Sequence, residues 1–330
     1  MVEHGRRNPL GLDEPEPRVS HEHARRIEQY PEDMRFTKAH ATGNDFVVLP
    51  DWDDALRLEP DLVRLLCDRR RGLGADGVIR LVRGPHTFMD YRNADGSLAE
   101  ICGNGLRVAA KYVVDRAIVH SSDGSVLIDT RAGTRKVTVR LGSGGRVEEA
   151  TVDMGPPNFH PAAVPFEAPD QEAIDVPVTL DGSLIRLTAL SFGNPHAVVV
   201  VDEVASAPLE TVGAALEHHP RFPERVNVEF AEVAGPREVR VRVWERGVGE
   251  TAGCGSGACA VLVALRRLGV VSDEATLHFP GGDVHVRYEP TRVLLTGSAL
   301  EIASGELDPT WLAEASSDAP PHRASGDERT

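Results

Sequence analysis

The sequence predicts an α+β fold made of two related β-rich halves, each wrapped on one helix. Three observations lead there. First, β-patterned runs outnumber helical ones and do not alternate strictly with them, so a doubly wound parallel sheet fits poorly. Second, "EICGNGLRVAAKYV" (100–113) and "ETAGCGSGACAVLVAL" (250–265) share one design, a cysteine heading a glycine-rich turn that opens an apolar helix. Third, the body repeats itself. "GNDFVV" at Gly43 returns as "GNPHAVV" at Gly193, about 150 residues later. "CGNG" at Cys102 returns as "CGSG" at Cys254 at nearly the same displacement. "LCDRRRGLGADGVIRL" and "LEHHPRFPERVNVEFAEV" hold the same place between these marks. The competing reading is two unrelated glycine-rich turns; the shared order and spacing favour a repeat.

Taken in order, residues 1–34 mix Pro, Arg, Glu and His without apolar periodicity and read as a disordered extension. The strands expected are "DFVVL", "GVIRLVR", "SVLIDT", "KVTVRL", "HAVVVVD", "VRVRVWE", "DVHVRYE" and "VLLTG". A helix is expected in "EPDLVRLLCDRRRG", from Pro60 to Gly72, and another in "PLETVGAALEHHP", ending at Pro220. The two cysteine-headed helices complete the set. The first half spans 35–148, the second 149–291, and residues 308–330 read as a tail.

Size and composition narrow the function. The chain has 330 residues and is 41% hydrophobic, enough for two domains with real cores. Its net charge of −15 argues against nucleic acid or an anionic membrane as partner, and an aromatic content of 5% argues against base stacking. No apolar run is long enough to span a bilayer, and the N-terminus lacks a secretory pattern. A cytoplasmic protein with reduced thiols is expected. Cys67, Cys102, Cys254 and Cys259 fit no zinc spacing, so no metal is expected.

The chemistry is expected at the two helix mouths. The first N–H groups of a helix have no intrahelical partner and carry the positive end of the macrodipole. A thiolate at Cys102 or Cys254 would be stabilised there and its pKa lowered. The free amides of Gly103, Asn104, Gly255 and Ser256 could cradle a carboxylate. If the halves face each other, two thiols flank the carbon next to that carboxylate. One removes its proton and the other returns a proton to the opposite face, inverting it. Cys67 lies on an apolar stripe and Cys259 inside a small-residue helix, so both read as core. His196 reads equally as a structural histidine or as a group that tunes a thiol. Asn44, Asn93, Asn194 and Asn227 read alone as turn residues.

Five stretches in order, "FTKAHATGNDFVVL", "YRNADGSLAEICGNGLRVAAKYV", "SFGNPHAVVVV", "FPERVNVEF" and "VRVWERGVGETAGCGSGACA", resemble the diaminopimelate epimerase family from about Arg35 to Leu307. The resemblance implies two β-barrel-like domains around central helices, with a last strand over 292–307 returning to the first. It implies a cofactor-independent, pyridoxal-free epimerase that interconverts LL- and meso-diaminopimelate, a small-molecule enzyme and a homodimer. It implies Cys102 and Cys254 as base and acid, and His196 and Glu245 as groups that adjust them. It implies substrate contacts from Asn44, Asn93, Asn194, Asn227, Glu245 and Arg246. Departures are Ala41 and Gly253, and Gly77 where relatives often carry a substrate-touching glutamine. A proline- or hydroxyproline-type racemase, a double-bond isomerase on the same scaffold, and a redox sensor pairing the two thiols are the competing functions.

Overall fold

A computed structural model describes residues 33–120, 123–167 and 172–315. Nearly all of the N-terminal stretch read as disordered, residues 1–32, lies outside the described residues. So does the tail beyond 315.

The first hairpin shows how local sequence places the site. β1 (Arg35–Ala41) and β2 (Asn44–Asp51) are antiparallel, with Ala41 opposite Asn44, leaving Thr42-Gly43 as a two-residue connection. Both residues have positive φ, 53° and 74°. This is the turn whose twist matches the strands, and Gly43 is the residue that adopts it without strain. α1 (Pro60–Cys67) begins on its proline and buries Leu62, Val63, Leu66 and Cys67. It stops at Cys67 rather than Gly72, because the Asp68 carboxylate accepts the backbone N–H groups of Arg70 and Arg71, each at 2.8 Å, and turns the chain.

β3 (Gly77–Val82) lies parallel to β2, and β4 (Thr87–Asn93) antiparallel to β3. α2 (Gly103–Asp115) follows, then β5 (Ser125–Thr130) parallel to β4, then β6 (Gly133–Leu141) and β7 (Val147–Asp153) antiparallel in turn. In the second half β8 (Val176–Leu180) pairs with β9 (Ser183–Ser191), and β9 with β10 (Pro195–Val200). One wide turn over Leu209–Gly213 leads into α3 (Ala214–Glu217), so this helix also ends before Pro220. β11 (Asn227–Gly235), β12 (Glu238–Glu245) and the short β13 (Gly249–Thr251) precede α4 (Gly255–Arg267). β14 (Glu274–Phe279) and β15 (Gly282–Glu289) complete this half, and β16 (Arg292–Ser298) follows.

The repeat seen in sequence recurs in pairing. Phe46 faces Gly77 across a parallel pair, and His196 faces Asn227 across another. Thr87 faces Ile128, and Glu238 faces Thr276, again in parallel pairs. β16 joins the halves by pairing with β7, Val152 opposite Leu295, and β17 (Leu300–Glu306) pairs with β1. The fold is thus α+β, two β-barrel-like halves, each around a central helix. Every residue from Gly103 to Val113 and from Gly255 to Leu265 is buried, which marks α2 and α4 as those centres. One continuous core holds both helices, and a smaller one lies under α3 around Phe166, Leu216, Phe222 and Phe230. Apart from this body, Leu307 N–H donates to the Met34 carbonyl at 2.9 Å. The stretch read as a tail begins with a helical turn, α5 (Pro309–Ala315), capped by Asp308, which accepts from Thr310 N–H at 2.7 Å.

The halves interlock at Gly281, where a Cβ would fall 2.2 Å from the Thr42 carbonyl oxygen and 2.8 Å from that of Ala252. Neither backbone can yield. Gly281→Ala is expected to cost about 2 kcal/mol or more, read as a lowered urea midpoint at unchanged m-value. Gly144→Ala, with open space around it, is the control and leaves the midpoint where it is.

Candidate active site

Cys102 and Cys254 are the N-caps of α2 and α4, both with extended backbone. Each sulfur accepts an N–H from the first turn of its own helix: Gly105 at 3.3 Å for Cys102 and Gly257 at 3.4 Å for Cys254. The two helix mouths abut. A Cβ on Gly255 would lie 3.1 Å from Asn104 Oδ1, and Cβ atoms on Gly103 and Gly255 would both reach Leu295 Cδ2, at 3.0 and 2.9 Å. Asn104 clips the mouths together: its amide donates to Asn44 Oδ1 at 3.2 Å and to the Gly253 carbonyl, beside the second thiol, at 3.1 Å.

Both thiols line one cleft of about 200 Å³. Every site residue expected from the sequence lines it except His196. Asn44, Asn93, Gly103 and Asn104 come from the first half, and Asn194, Asn227, Glu245, Arg246, Gly255 and Ser256 from the second. His196 sits behind it, fully buried, with Nδ1 2.6 Å from Glu229 Oε1 and Nε2 3.1 Å from Asn194 Oδ1.

The asparagines are already engaged within the protein. Asn227 donates to the Pro195 carbonyl at 2.8 Å and accepts Arg246 N–H at 2.9 Å, so its amide shapes the site at both ends. Asn194 donates to Ser256 Oγ at 3.2 Å, which lies 3.5 Å from Cys254 Sγ. Asn44 donates to Asp76 at 2.9 Å, and Asn93 to Ser97 at 3.0 Å. The Arg246 guanidinium donates to the Glu224 carbonyl at 3.3 Å and forms no ion pair among the described residues.

The electrostatics reverse one expectation. The helix mouths do not lower the thiols. Burial pushes Cys102 up to about 12 against the pull of the Gly105 and Asn104 amides and Arg107, and Glu245 adds to the push. Burial also drives Cys254 well up, reinforced by Glu245 and Glu229. Dehydrating a sulfur anion outweighs the helix field. Burial raises Glu245 itself to about 7, although Thr251 donates a hydrogen bond to it. Burial would also raise Asp45, but Arg69 and Lys38 outweigh it and hold it at about 2.

Sequence reasoning missed Asp76, Tyr91, Glu229 and Arg107. Tyr91 explains the departure at Gly77: a Cβ there would fall 2.6 Å from the tyrosine ring, so Tyr91 fills the space of a side chain at 77 and faces the cleft. Cys67 and Cys259 are buried, and burial raises both, the former to about 12.

The family described as diaminopimelate epimerase matches residues 36–160 and 188–300. The chain belongs to the diaminopimelate epimerase family. It is 40% identical over 278 residues to the diaminopimelate epimerase of Pelotomaculum thermopropionicum, covering 83% of this chain and 98% of that one. It is 41% identical over 280 residues to that of Ectopseudomonas mendocina, covering 83% and 99%. A hydroxyproline epimerase from Agrobacterium vitis, solved with bound trans-4-hydroxy-L-proline, matches at a TM-score of 0.66 over 84% of this chain and 92% of that one. At 17% identity that likeness establishes the fold. The chain is therefore an epimerase by family.

Because Glu245 is negative only above about 7, its push on the thiols is present only there. Glu245→Gln is expected to speed iodoacetamide alkylation of Cys102 and Cys254 above that pH, by roughly tenfold. Below it, variant and parent alkylate alike. Rates measured across the pH range on identified peptides check both halves of the statement.

Proposed function

We propose that this diaminopimelate epimerase family member interconverts LL- and meso-diaminopimelate without a cofactor, by proton transfer between Cys102 and Cys254. The observation that carries the reading is that both helix-mouth thiols open into one cleft lined by groups suited to both ends of a diamino diacid. The reacting carboxylate sits on the amides of Gly103, Asn104, Gly255 and Ser256, whose positive field grows in value as charge spreads onto that carboxylate in the transition state. Glu245 and Arg246 answer the ammonium and carboxylate groups, and the asparagine-braced rim aligns the substrate. One thiolate removes the α-proton, leaving a carbanion delocalised into the carboxylate. The opposite thiol then protonates the other face and becomes the thiolate. The α-ammonium of the substrate adds positive charge beside the thiolate.

Closure fits this scheme. Leu98 from the first half and Val248 from the second line the cleft and are 57% and 61% exposed. We read the halves as domains that close over substrate, bury this pair and exclude water. The four free thiols suit a reducing cytoplasm, and the family likeness suggests a homodimer.

Incubation with LL-diaminopimelate in D₂O under reducing conditions, followed by chiral separation, tests the reading. The expected product is the meso form carrying deuterium at one α-carbon, with early residual substrate still protiated. Cys102→Ser and Cys254→Ser are each expected to lose at least about 10³-fold in kcat, and Cys67→Ala to keep most activity. Arg246→Ala is expected to weaken kcat/KM by about 10²-fold. Unchanged turnover in Arg246→Ala favours a smaller substrate of the proline type.

A further inference from the structure

The two halves match position by position, and three departures from that match surround the thiols. Arg107, five residues past Cys102, corresponds to Cys259, five past Cys254. Ile79 on β3 corresponds to Glu229 on β11, each two residues beyond the matched pair Gly77 and Asn227. The packing agrees: a Cβ on Gly105 would meet Ile79 Cδ1 at 3.2 Å, and one on Gly257 would meet Glu229 Oε1 at 2.6 Å. Phe46 corresponds to His196, which pairs with that carboxylate. One helix mouth therefore rests on hydrocarbon and carries a cation. The other rests on a carboxylate.

Arg107 is an expensive residue to keep. It is fully buried, and its Nε has no hydrogen-bond partner. Its partners are neutral: Thr42 Oγ1 and the Ser298 carbonyl, each at 3.0 Å, and Asn104 Oδ1. Among the described residues no carboxylate pairs with it. Gly297 makes room for it, since a Cβ there would fall 2.1 Å from Nη1. Burying a guanidinium with no counter-ion is strongly unfavourable. Arg107 acts on Cys102 and on Cys259, and of these only Cys102 lines the cleft.

We infer that Cys102 is the thiol of the pair that ionises first, with the buried Arg107 as its counter-charge, while the carboxylate of Glu229 opposes ionisation of Cys254. This rests on the two-thiol reading above and assigns base and acid within it. The groups facing each sulfur support the assignment. Cys102 is acted on by Glu245, Arg107 and the amides of its own helix, and stands beside Tyr91. Cys254 is acted on by Glu245, Glu229, Ser256 and the Gly257 amide. Glu245 burdens both sulfurs, so it does not discriminate. Arg107 and Glu229 do, in opposite senses. His196 is turned to Glu229 and Asn194. The Asp76 carboxylate is taken up by Asn44 and Arg69.

Alkylation by iodoacetamide reads this without turnover: the thiolate attacks the methylene carbon, iodide leaves, and peptide mass spectrometry identifies the sulfur modified. Across a pH series Cys102 is expected to react first and to titrate below Cys254. Arg107→Met is expected to raise the Cys102 inflection by about one unit, a tenfold loss of labelling at a fixed pH below it, and to leave Cys254 nearly unchanged. Arg107→Lys restores the parent profile. Glu229→Gln, which keeps the shape, is expected to lower the Cys254 inflection and narrow the gap; it carries the test if Arg107→Met does not fold. Labelling of Cys254 ahead of Cys102 overturns the assignment, as does a Cys102 profile indifferent to Arg107 or a Cys254 profile indifferent to Glu229. Turnover of LL-diaminopimelate by the parent enzyme is measured alongside. Turnover with reversed labelling order refutes the assignment alone, and ordered labelling without turnover refutes the substrate reading alone.

Discussion

The structure depends on two helix N-termini packed mouth to mouth at the junction of its halves. The first residues of both helices, Gly103, Asn104, Gly255 and Ser256, line the cleft there, and a Cβ on Gly103 or Gly255 would meet Leu295. The rest of the fold serves that contact. β7 and β16 stitch the halves edge to edge. Thr42, Gly253 and Gly281 interlock by backbone. Asn104 hydrogen-bonds from one mouth to the loop that carries the other thiol. In the proposed reaction one carbon is held between two sulfurs, a placement that these close contacts rather than flexible loops would set.

Repetition explains the facing thiols, and the departures from repetition explain how they could differ. Two identical mouths would share a proton without preference. Arg107 and Glu229 remove that symmetry from the places that Cys259 and Ile79 hold in the matching halves, with room for Arg107 made at Gly297. Burial does the rest: in a dehydrated cleft a single charge matters far more than it does in water. That same burial raises both thiols above a free cysteine. For a protein with four reduced cysteines this also limits oxidation.

How much of this was legible in the sequence follows from the range of each interaction. The helix mouths, the repeat and the hairpin turn at Thr42-Gly43 are local signals and could be read directly. So could the split of the cysteines into two at caps and two in core. The lengths of α1 and α3 could not, because a side chain bond at Asp68 and a wide turn at Leu209–Gly213 override the apolar period. β7 escaped notice because charged and polar residues break its alternation. Where one last strand was expected over 292–307, the chain forms two, β16 and β17. The direction of the thiol shifts was misjudged for the same reason: the helix field is written in local sequence, whereas dehydration depends on what covers the site. Arg107 looked like one more basic residue on a helix and Glu229 like the polar face of a strand. Only the packing of the halves turns them into neighbours of the thiols.

The account stands on two sulfurs facing one another across a substrate-sized gap. The most direct measurement is bridging by a short bifunctional reagent, 1,3-dichloroacetone, on the reduced enzyme, read by peptide mapping. The expected product joins Cys102 to Cys254 within one chain, and prior saturation with diaminopimelate slows its formation. Single modification of each thiol with no bridge between them, at any reagent concentration, would contradict the account.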